Sequence, residues 1–531
     1  MMNTYDVIII GGGAAGCSAA RRLIDDGRLS VVIIEEGRRD TNPFIHIPAT
    51  FFKVLASRDA KIVKTDAEQQ LGDRQYAIPQ GRVLGGGSSV NAMNYIRGQP
   101  EDYDSWVADG ADGWGYDDVL PIFKRQENNQ RLAHSPFHGN AGPLTVSDPE
   151  KPHVLHEAFI DSAVEGGLPR NTDFNGASQL GVGFYQTTTR ANRRASAAQA
   201  FVRPVLNNRN LAVITGHKVV RIICQNGVAT GVLVQAPSGE KISISARHEV
   251  LVAAGALASP QILQTSGIGP RLVLEKAGVE CLVESNGVGN NFQDHIAALY
   301  TVLIKEPLSL FNQDRGFSAV RNGINYLLFK QGVLASTIIE SGGFLDTTHS
   351  GKRPDIQLNG QAIVAGPPGH PPIPDHGFGV GIQLNRPKSR GFIHIRTPDL
   401  SDPPIFFSKL LTDMADVEVI KRGLNIARDI FAEAPLRQLT KSVFYPPSGD
   451  MSAKSLETYI RTHGRTVYHP CGTCRMGQDD VAVVDPTLAV RGVRRLRVID
   501  ASVMPRITSG NTNAPSMMIG ERGAEYSLQS L

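Results

Sequence analysis

The stretch YDVIIIGGGAAGCSAARRLIDDGRLSVVIIEE, residues 5–36, reads as one complete βαβ unit. Asp6 to Ile10 is an apolar, β-branched run of buried-strand length that leads directly into Gly11, Gly13 and Gly16 at G-x-G-x-x-G spacing. Gly11 permits the tight turn, Gly13 lets the backbone approach a pyrophosphate, and Gly16 lets a helix pack on the strand. The N-terminus of that helix, Ala14 to Asp26, offers amide donors and a positive dipole end to an anion. Gly27 ends the helix, and Ser30 to Ile34 is a second buried strand closing on Glu35, nineteen residues after Gly16. A carboxylate there accepts a ribose 2′-hydroxyl and repels a 2′-phosphate. The unit predicts dinucleotide binding and does not by itself choose between NAD and FAD.

Composition bounds the rest. The chain has 531 residues, 41% hydrophobic and 20% charged, which is ample material for a globular core. Lys and Arg number 54 against 51 Asp and Glu, and a net charge of +3 spread over this length gives no reason to expect nucleic acid. The first strand begins within a few residues of the N-terminus without a basic and apolar leader, and no stretch approaches a membrane span. A cytoplasmic protein with no transmembrane segment is the expectation, with peripheral membrane contact left open. The five cysteines, Cys17, Cys224, Cys281, Cys471 and Cys474, suit a reducing compartment. Cys471 and Cys474 form a C-x-x-C that could serve redox or zinc chemistry, yet no second pair completes four ligands, so no metal site is expected.

Further along, Gly81 to Asn94 clusters glycines and hydroxyls and reads as a second cofactor-contacting loop, with Val90 to Met93 helix-like. Tyr116 lies before a short helix over Asp117 to Arg125, and Ser196 to Leu206 is predicted helical. Leu211 to Ile223 and Val228 to Gln235, joined through Asn226-Gly227, predict a hairpin with a type I′ turn. Glu249 to Gly255 and Leu496 to Asp500 are further buried strands, and a helix closes the chain from Asn513 to Gln529. Residues 299–462 lack a glycine fingerprint and combine alternating segments with a helix over Asp413 to Ala434. They predict an antiparallel sheet with helices that covers the substrate.

These residues together resemble the glucose-methanol-choline (GMC) flavin oxidoreductases over nearly the whole chain. Gly11 to Gly16 with Glu35 is similar to that family's FAD fingerprint, Gly81 to Asn94 to its first signature, and Gly255 to Gly269 to its second. Val288-Gly-Asn-Asn-Phe-Gln-Asp-His295 resembles its V-G-x-N-L-Q-D-H segment, with Phe292 in the leucine's place. Tyr468 to Gly477, Val498 to Pro505 and Gly510 to Pro515 resemble its catalytic C-terminal part. The phrasing of 463–470 and 173–178 is most similar to the branch containing bacterial L-sorbose dehydrogenases and alcohol or polyol dehydrogenases.

The resemblance implies an α/β fold: a Rossmann-like FAD-binding domain (1–150, 195–298 and 463–531) interleaved with an α+β cap domain built on an antiparallel sheet (151–194 and 299–462). It implies FAD held by Gly11, Gly13, Ala14, Ala15 and Gly16, with Glu35 on the adenosine ribose and Val219 near adenine. Val83, Gly86, Ser88, Asn91, Ala92, Met93 and Asn94 are expected near the flavin, and Asp500 and Asn511 complete the set. Some members link FAD through a histidine in G-G-x-S-S-H-N. Val90 stands there in this chain, so the cofactor is expected to be non-covalent and to leave the protein on acid precipitation; a yellow pellet would count against this.

Oxidising a carbinol removes a hydride, which no side chain accepts, so flavin N5 is the implied acceptor. The hydroxyl proton needs a base, a role that suits a neutral imidazole near neutral pH. The expected pair is His469 as base and Asn513 hydrogen-bonding the same oxygen, while His295, His217 and His463 are read as structural. The predicted reaction is oxidation of a primary alcohol, sugar or polyol to the carbonyl, with electrons passing to a quinone-type acceptor. The alternatives are an oxygen-using oxidase of the same family and a hydroxynitrile-type lyase in which FAD is not reduced.

Overall fold

The computed structural model describes residues 4–531 apart from 352, 367 and 369. Its first sheet has seven strands and grows from the N-terminal unit. Thr4–Ile10 lies between Val31–Glu35 and Lys241–Val252, parallel to both, and Leu211–Thr215 adds beyond Val31–Glu35, also parallel. Lys241–Val252 is long enough for two roles. Its first half pairs antiparallel with Val228–Gln235, and its last residues pair parallel with Leu496–Val498. Val7 to Ile10 and Val31 to Ile34 are at most 2% exposed, as strands covered on both faces must be. Ala14–Asp26 packs on one face of this sheet against the C-terminal helix Asn513–Gln529, and the Ser18 hydroxyl ties the two by donating to the Met517 carbonyl at 2.7 Å.

The predicted hairpin is real but shorter at its start. The chain turns at Gly216 (φ +75°), so Leu211–Thr215 leaves the hairpin for the parallel sheet and Lys218–Gln225 alone pairs with Val228–Gln235. Asn226 (φ +50°) and Gly227 (φ +72°) have the positive φ of a type I′ turn. Ser196 to Leu206 is less regular than expected: a wide helical turn at Ala198–Val202 followed by a 3₁₀ turn at Arg203–Val205, where Pro204 withholds an N–H. Val90 to Met93 is not helical either, because Met93 sits at φ +66° and only Gly86–Ser89 makes a helical turn. The predicted helix at Asp117 to Arg125 spans Tyr116–Gln126, and that at Asp413 spans Met414–Ala432 with Asp413 as its N-cap, its carboxylate accepting from the Ala415 N–H.

The second sheet is antiparallel, in the order Thr440–Tyr445, Ile296–Ile304, Gly377–Leu384, Ile356–Gln361, Ser341–Leu345, Gly181–Phe184. Arg465–Thr466 adds to it beside Ile296 and Ala297. Its side chains divide with the period of two that a strand imposes. Ile296, Ala298, Tyr300, Val302, Phe378, Val380, Ile382, Ile356 and Leu358 point into a core shared with Met414–Ala432 and Val154–Glu165. Ala297, Leu299, Asn359, Gln361, Gly381 and Gln383, the alternate residues, line a cavity between the two sheets. Among the described residues no helix is long and apolar enough to cross a membrane.

Candidate active site

The cavity, of about 520 Å³, begins at the glycine turn and ends beneath the second sheet. Gly11, Gly13, Ala14, Ala15, Glu35, Gly86, Asn91, Ala92, Met93, Asn94, Val219, Asp500, Asn511, Asn513 and His469 all line it, although they come from loops far apart in the chain. Three residues expected at the cofactor are placed behind this wall instead. Gly16 lies under the helix, where a Cβ would sit 2.0 Å from the Gly11 carbonyl oxygen. Val83 is buried with Ile45, Val54 and Val90. The Ser88 hydroxyl accepts from the Ala197 N–H and donates to the Gly85 carbonyl, so it shapes the loop.

Two features of the cavity wall fit a dinucleotide. A Cβ on Gly13 would meet its nearest neighbour, the Ala253 carbonyl oxygen, only at 3.9 Å, so protein packing does not explain the glycine there. The space belongs to whatever approaches that backbone, and Gly13, the N-cap of Ala14–Asp26, puts no side chain over the helix's first amides. Farther along, the Glu35 carboxylate is buried, with Oε2 accepting from the Gly12 N–H at 2.8 Å and Oε1 from the Gly37 N–H at 2.7 Å. Burial pushes its pKa up to about 7, against those two donors. Each oxygen keeps a second lone pair for a ribose hydroxyl. At the middle of the cavity, Asp500 Oδ2 accepts from the Gly255 N–H at 2.8 Å and from the Ser259 hydroxyl, which anchors the loop that opens the second signature.

At the far end stands His469, only 9% exposed. Its backbone N–H donates to Asp294 Oδ1 at 2.8 Å, and Asp294 Oδ2 accepts from the Thr466 hydroxyl, clamping a loop in which Tyr468 takes φ +69°. Burial raises the Asp294 pKa to about 7. The imidazole lies between two groups: His295 Nδ1 is 3.0 Å from His469 Nδ1, and Asn511 Nδ2 is 3.2 Å from His469 Nε2.

These contacts set the tautomer. His295 Nε2 is 3.0 Å from the Asn385 carbonyl, which can only accept, so that nitrogen carries the hydrogen. Burial lowers the His295 pKa to about 3, which keeps the ring neutral and leaves its Nδ1 as an acceptor. His469 must then donate from Nδ1, and its bare Nε2 lone pair faces Asn511 and the cavity. Burial, and to a smaller degree His295, hold the His469 pKa well below its ordinary value. The Asn511 amide is oriented in turn, since its Oδ1 accepts from Gln357 Nε2 at 3.3 Å.

The partner of His469 is thus Asn511 and not Asn513. The chain leaves Gly510 (φ +89°) in an irregular segment that brings Asn511 under the imidazole, and by Asn513 it has entered the first turn of the C-terminal helix. His295 is another departure, since it touches the candidate base directly. Its sequence signal was the Asp294-His295 pair, an acid and an imidazole adjacent in a segment already singled out. Glu340 is buried and accepts from the His153 N–H at 2.7 Å. Cys471 and Cys474 are buried free thiols in the core; the Cys471 N–H donates to the Gln293 carbonyl at 2.9 Å and the Cys474 N–H to the Ser502 carbonyl at 2.8 Å.

The N-terminal model of the GMC oxidoreductases matches residues 5–297 and the C-terminal model residues 387–520. The chain belongs to the GMC oxidoreductase family: it is a flavoprotein that uses FAD and an oxidoreductase acting on CH–OH donors. It is 36% identical to an alcohol dehydrogenase [acceptor] of Pseudomonas putida, over 99% of this chain and 96% of that protein. It is 37% identical to an oxygen-dependent choline dehydrogenase of Rhizobium etli, over 98% of this chain and 95% of the other. Among solved structures, pyridoxine 4-oxidase from Mesorbium loti superposes with a TM-score of 0.89 at 30% identity, covering 98% of each chain.

Proposed function

We propose that this chain oxidises the CH–OH group of a primary alcohol, sugar or polyol to the carbonyl, and that His469 is the base. FAD, held along Gly13, Glu35, Val219 and Asp500, supplies the hydride acceptor. The chain's own residues do the rest. A hydroxyl entering from the second sheet meets the His469 Nε2 lone pair, which accepts its proton, and the Asn511 amide N–H, which donates to its oxygen and stabilises the negative charge developing there. Asn511 takes the role the sequence reading gave to Asn513. Asn385 and His295 position the imidazole, and Asp294 and Thr466 hold the loop that carries it. Leu299, Asn359, Gln361 and Gln383 form the wall that meets the substrate's carbon skeleton, a mixed surface suited to a molecule with both methylenes and hydroxyls.

The observation that carries this reading is the bare Nε2 of His469, fixed by the chain from the Asn385 carbonyl through His295 and aimed into the cavity that starts at the dinucleotide turn. A purely binding role would not require a neutral imidazole of set tautomer there. The electrons are proposed to pass to a quinone-type acceptor; the name of the alcohol dehydrogenase [acceptor] relative supports an acceptor-linked reaction and leaves the acceptor's chemistry to the test. The test is anaerobic mixing of the holoenzyme with sorbose, short aliphatic alcohols, aromatic alcohols, polyethylene glycol and choline in parallel. Bleaching of the flavin by at least one alcohol is expected, followed on re-oxidation by faster dye reduction than peroxide formation. A flavin that stays oxidised with the whole panel would turn the reading toward lyase chemistry, and rapid stoichiometric peroxide would make the enzyme an oxidase.

A further inference from the structure

The helix Gly316–Phe329 is turned inside out. On a helix the residues at i, i+3, i+4, i+7 share a face, and in a globular protein the apolar face is the one covered. Here Phe317, Val320, Ile324, Leu327 and Leu328 form that stripe, and they are 81%, 59%, 53%, 68% and 68% exposed. The buried face is the polar one. Asn322 donates to the Gln313 carbonyl at 2.9 Å, and Tyr326 donates from its hydroxyl to the Asn192 carbonyl at 2.9 Å, pinning the helix to the body with its apolar side outward. Phe329 is also exposed, at 65%. Two further exposed aromatics, Phe44 and Phe52, lie on the short helices Pro43–His46 and Phe51–Leu55. Tyr326 approaches the first of these at the His46 carbonyl, and Phe51 and Leu55 of the second line the active-site cavity.

Basic residues outnumber acidic ones around this face. Arg315 caps the helix N-terminus, Lys330 caps its C-terminus, and Arg321 projects from its exposed side, with Asp314 the only acid among residues 311–330. Lys53 adds a cation beside Phe44, its Nζ 5.9 Å from the ring. Bulky apolar side chains bordered by arginine and lysine are the pattern of a helix that lies in the headgroup region of an anionic bilayer. A second copy of the chain would bring like charges together along the same stripe.

We propose that the apolar face of Gly316–Phe329, with Phe44 and Phe52, docks the enzyme on a membrane surface containing anionic lipid. The chain leads from this helix through the turn Val333–Ala335 to Ile339, which lines the cavity, so docking sets the active-site end of the molecule close to the bilayer. The inference stands apart from the choice of alcohol or acceptor.

The test uses the FAD-loaded holoenzyme and sedimentation with vesicles of phosphatidylcholine alone or with about 30% phosphatidylglycerol. Co-sedimentation with the anionic vesicles is expected, reduced by salt. The double variant Phe317→Glu, Leu327→Glu should lower partitioning at least about ten-fold, while its dye-linked turnover in solution stays at the wild-type level. Arg321→Glu should weaken binding to anionic vesicles only. The proposal is overturned if wild type fails to sediment with vesicles, or if the double variant sediments as well as wild type. It is equally overturned if the wild type is a dimer that the double variant converts to a monomer without any vesicle binding.

Discussion

Replacing His469 by alanine lowers anaerobic flavin reduction by alcohol about 10²–10⁴-fold while FAD content stays at the wild-type level. The hydride acceptor and most of the substrate wall survive the change, but the hydroxyl loses the one bare nitrogen positioned to take its proton. Glutamine in the same place restores bulk without a usable base, so His469→Gln should be nearly as slow. If His469→Ala reduced its flavin within a few-fold of wild type, the imidazole would have no part in the chemistry. The pH profile follows from the same surroundings. Because the His469 pKa is lowered from the ordinary value of 6.5, the proton-accepting neutral form persists as pH falls through that value and is lost only below it. The acid limb of kcat/KM for an uncharged alcohol should therefore lie below pH 6.5, and a limb at or above 6.5 would contradict the burial argument.

The second large effect separates two glycines of one motif. Gly16→Ala should yield little holoprotein, because its Cβ would fall 2.0 Å from the Gly11 carbonyl oxygen and 3.2 Å from Ile9, neither of which can move without displacing the strand or the turn. Overpacking of this kind costs about 1–3 kcal/mol or more, and the turn that receives the dinucleotide is the part that shifts. Gly13→Ala has no such clash within the protein. It should fold with a melting temperature close to that of wild-type apoprotein, yet bind FAD about ten-fold or more weakly, since the methyl group occupies the cofactor's approach. Absorbance ratios at the flavin and protein bands, together with thermal melts of the apoproteins, distinguish the two. A Gly13→Ala protein with full FAD content would mean that this backbone is not the cradle.

Much of the fold was readable because it depends on local periodicity. Buried runs such as Asp6 to Ile10 and Glu249 to Gly255 can only be covered strands, and the Asn226-Gly227 turn has a conformation few other dipeptides adopt without strain. Where local signals were weaker, the readings slipped. Leu211 to Ile223 looked like one strand, and only pairing with Val31–Glu35 separates its first part. Val90 to Met93 has helical composition, yet the loop must bend back along the cavity and takes a positive φ at Met93. In the site, Asn511 and Asn513 are both asparagines two residues apart, and composition offers no means of ranking them. The onset of the helix decides which one lies under His469.

By itself the sequence determined the dinucleotide unit and the family, and it pointed to Glu35 and to the histidine proposed as base, because those depend on residue type and short spacing. Tertiary structure alone decided that His295 touches His469, that a carbonyl at Asn385 selects which His469 nitrogen is left without a proton, and which face of Gly316–Phe329 is outermost. Those outcomes require segments some ninety to 174 residues apart to meet at hydrogen-bond distance, or a helix to be rolled by contacts with distant chain, and no pattern of neighbours along the chain encodes such meetings.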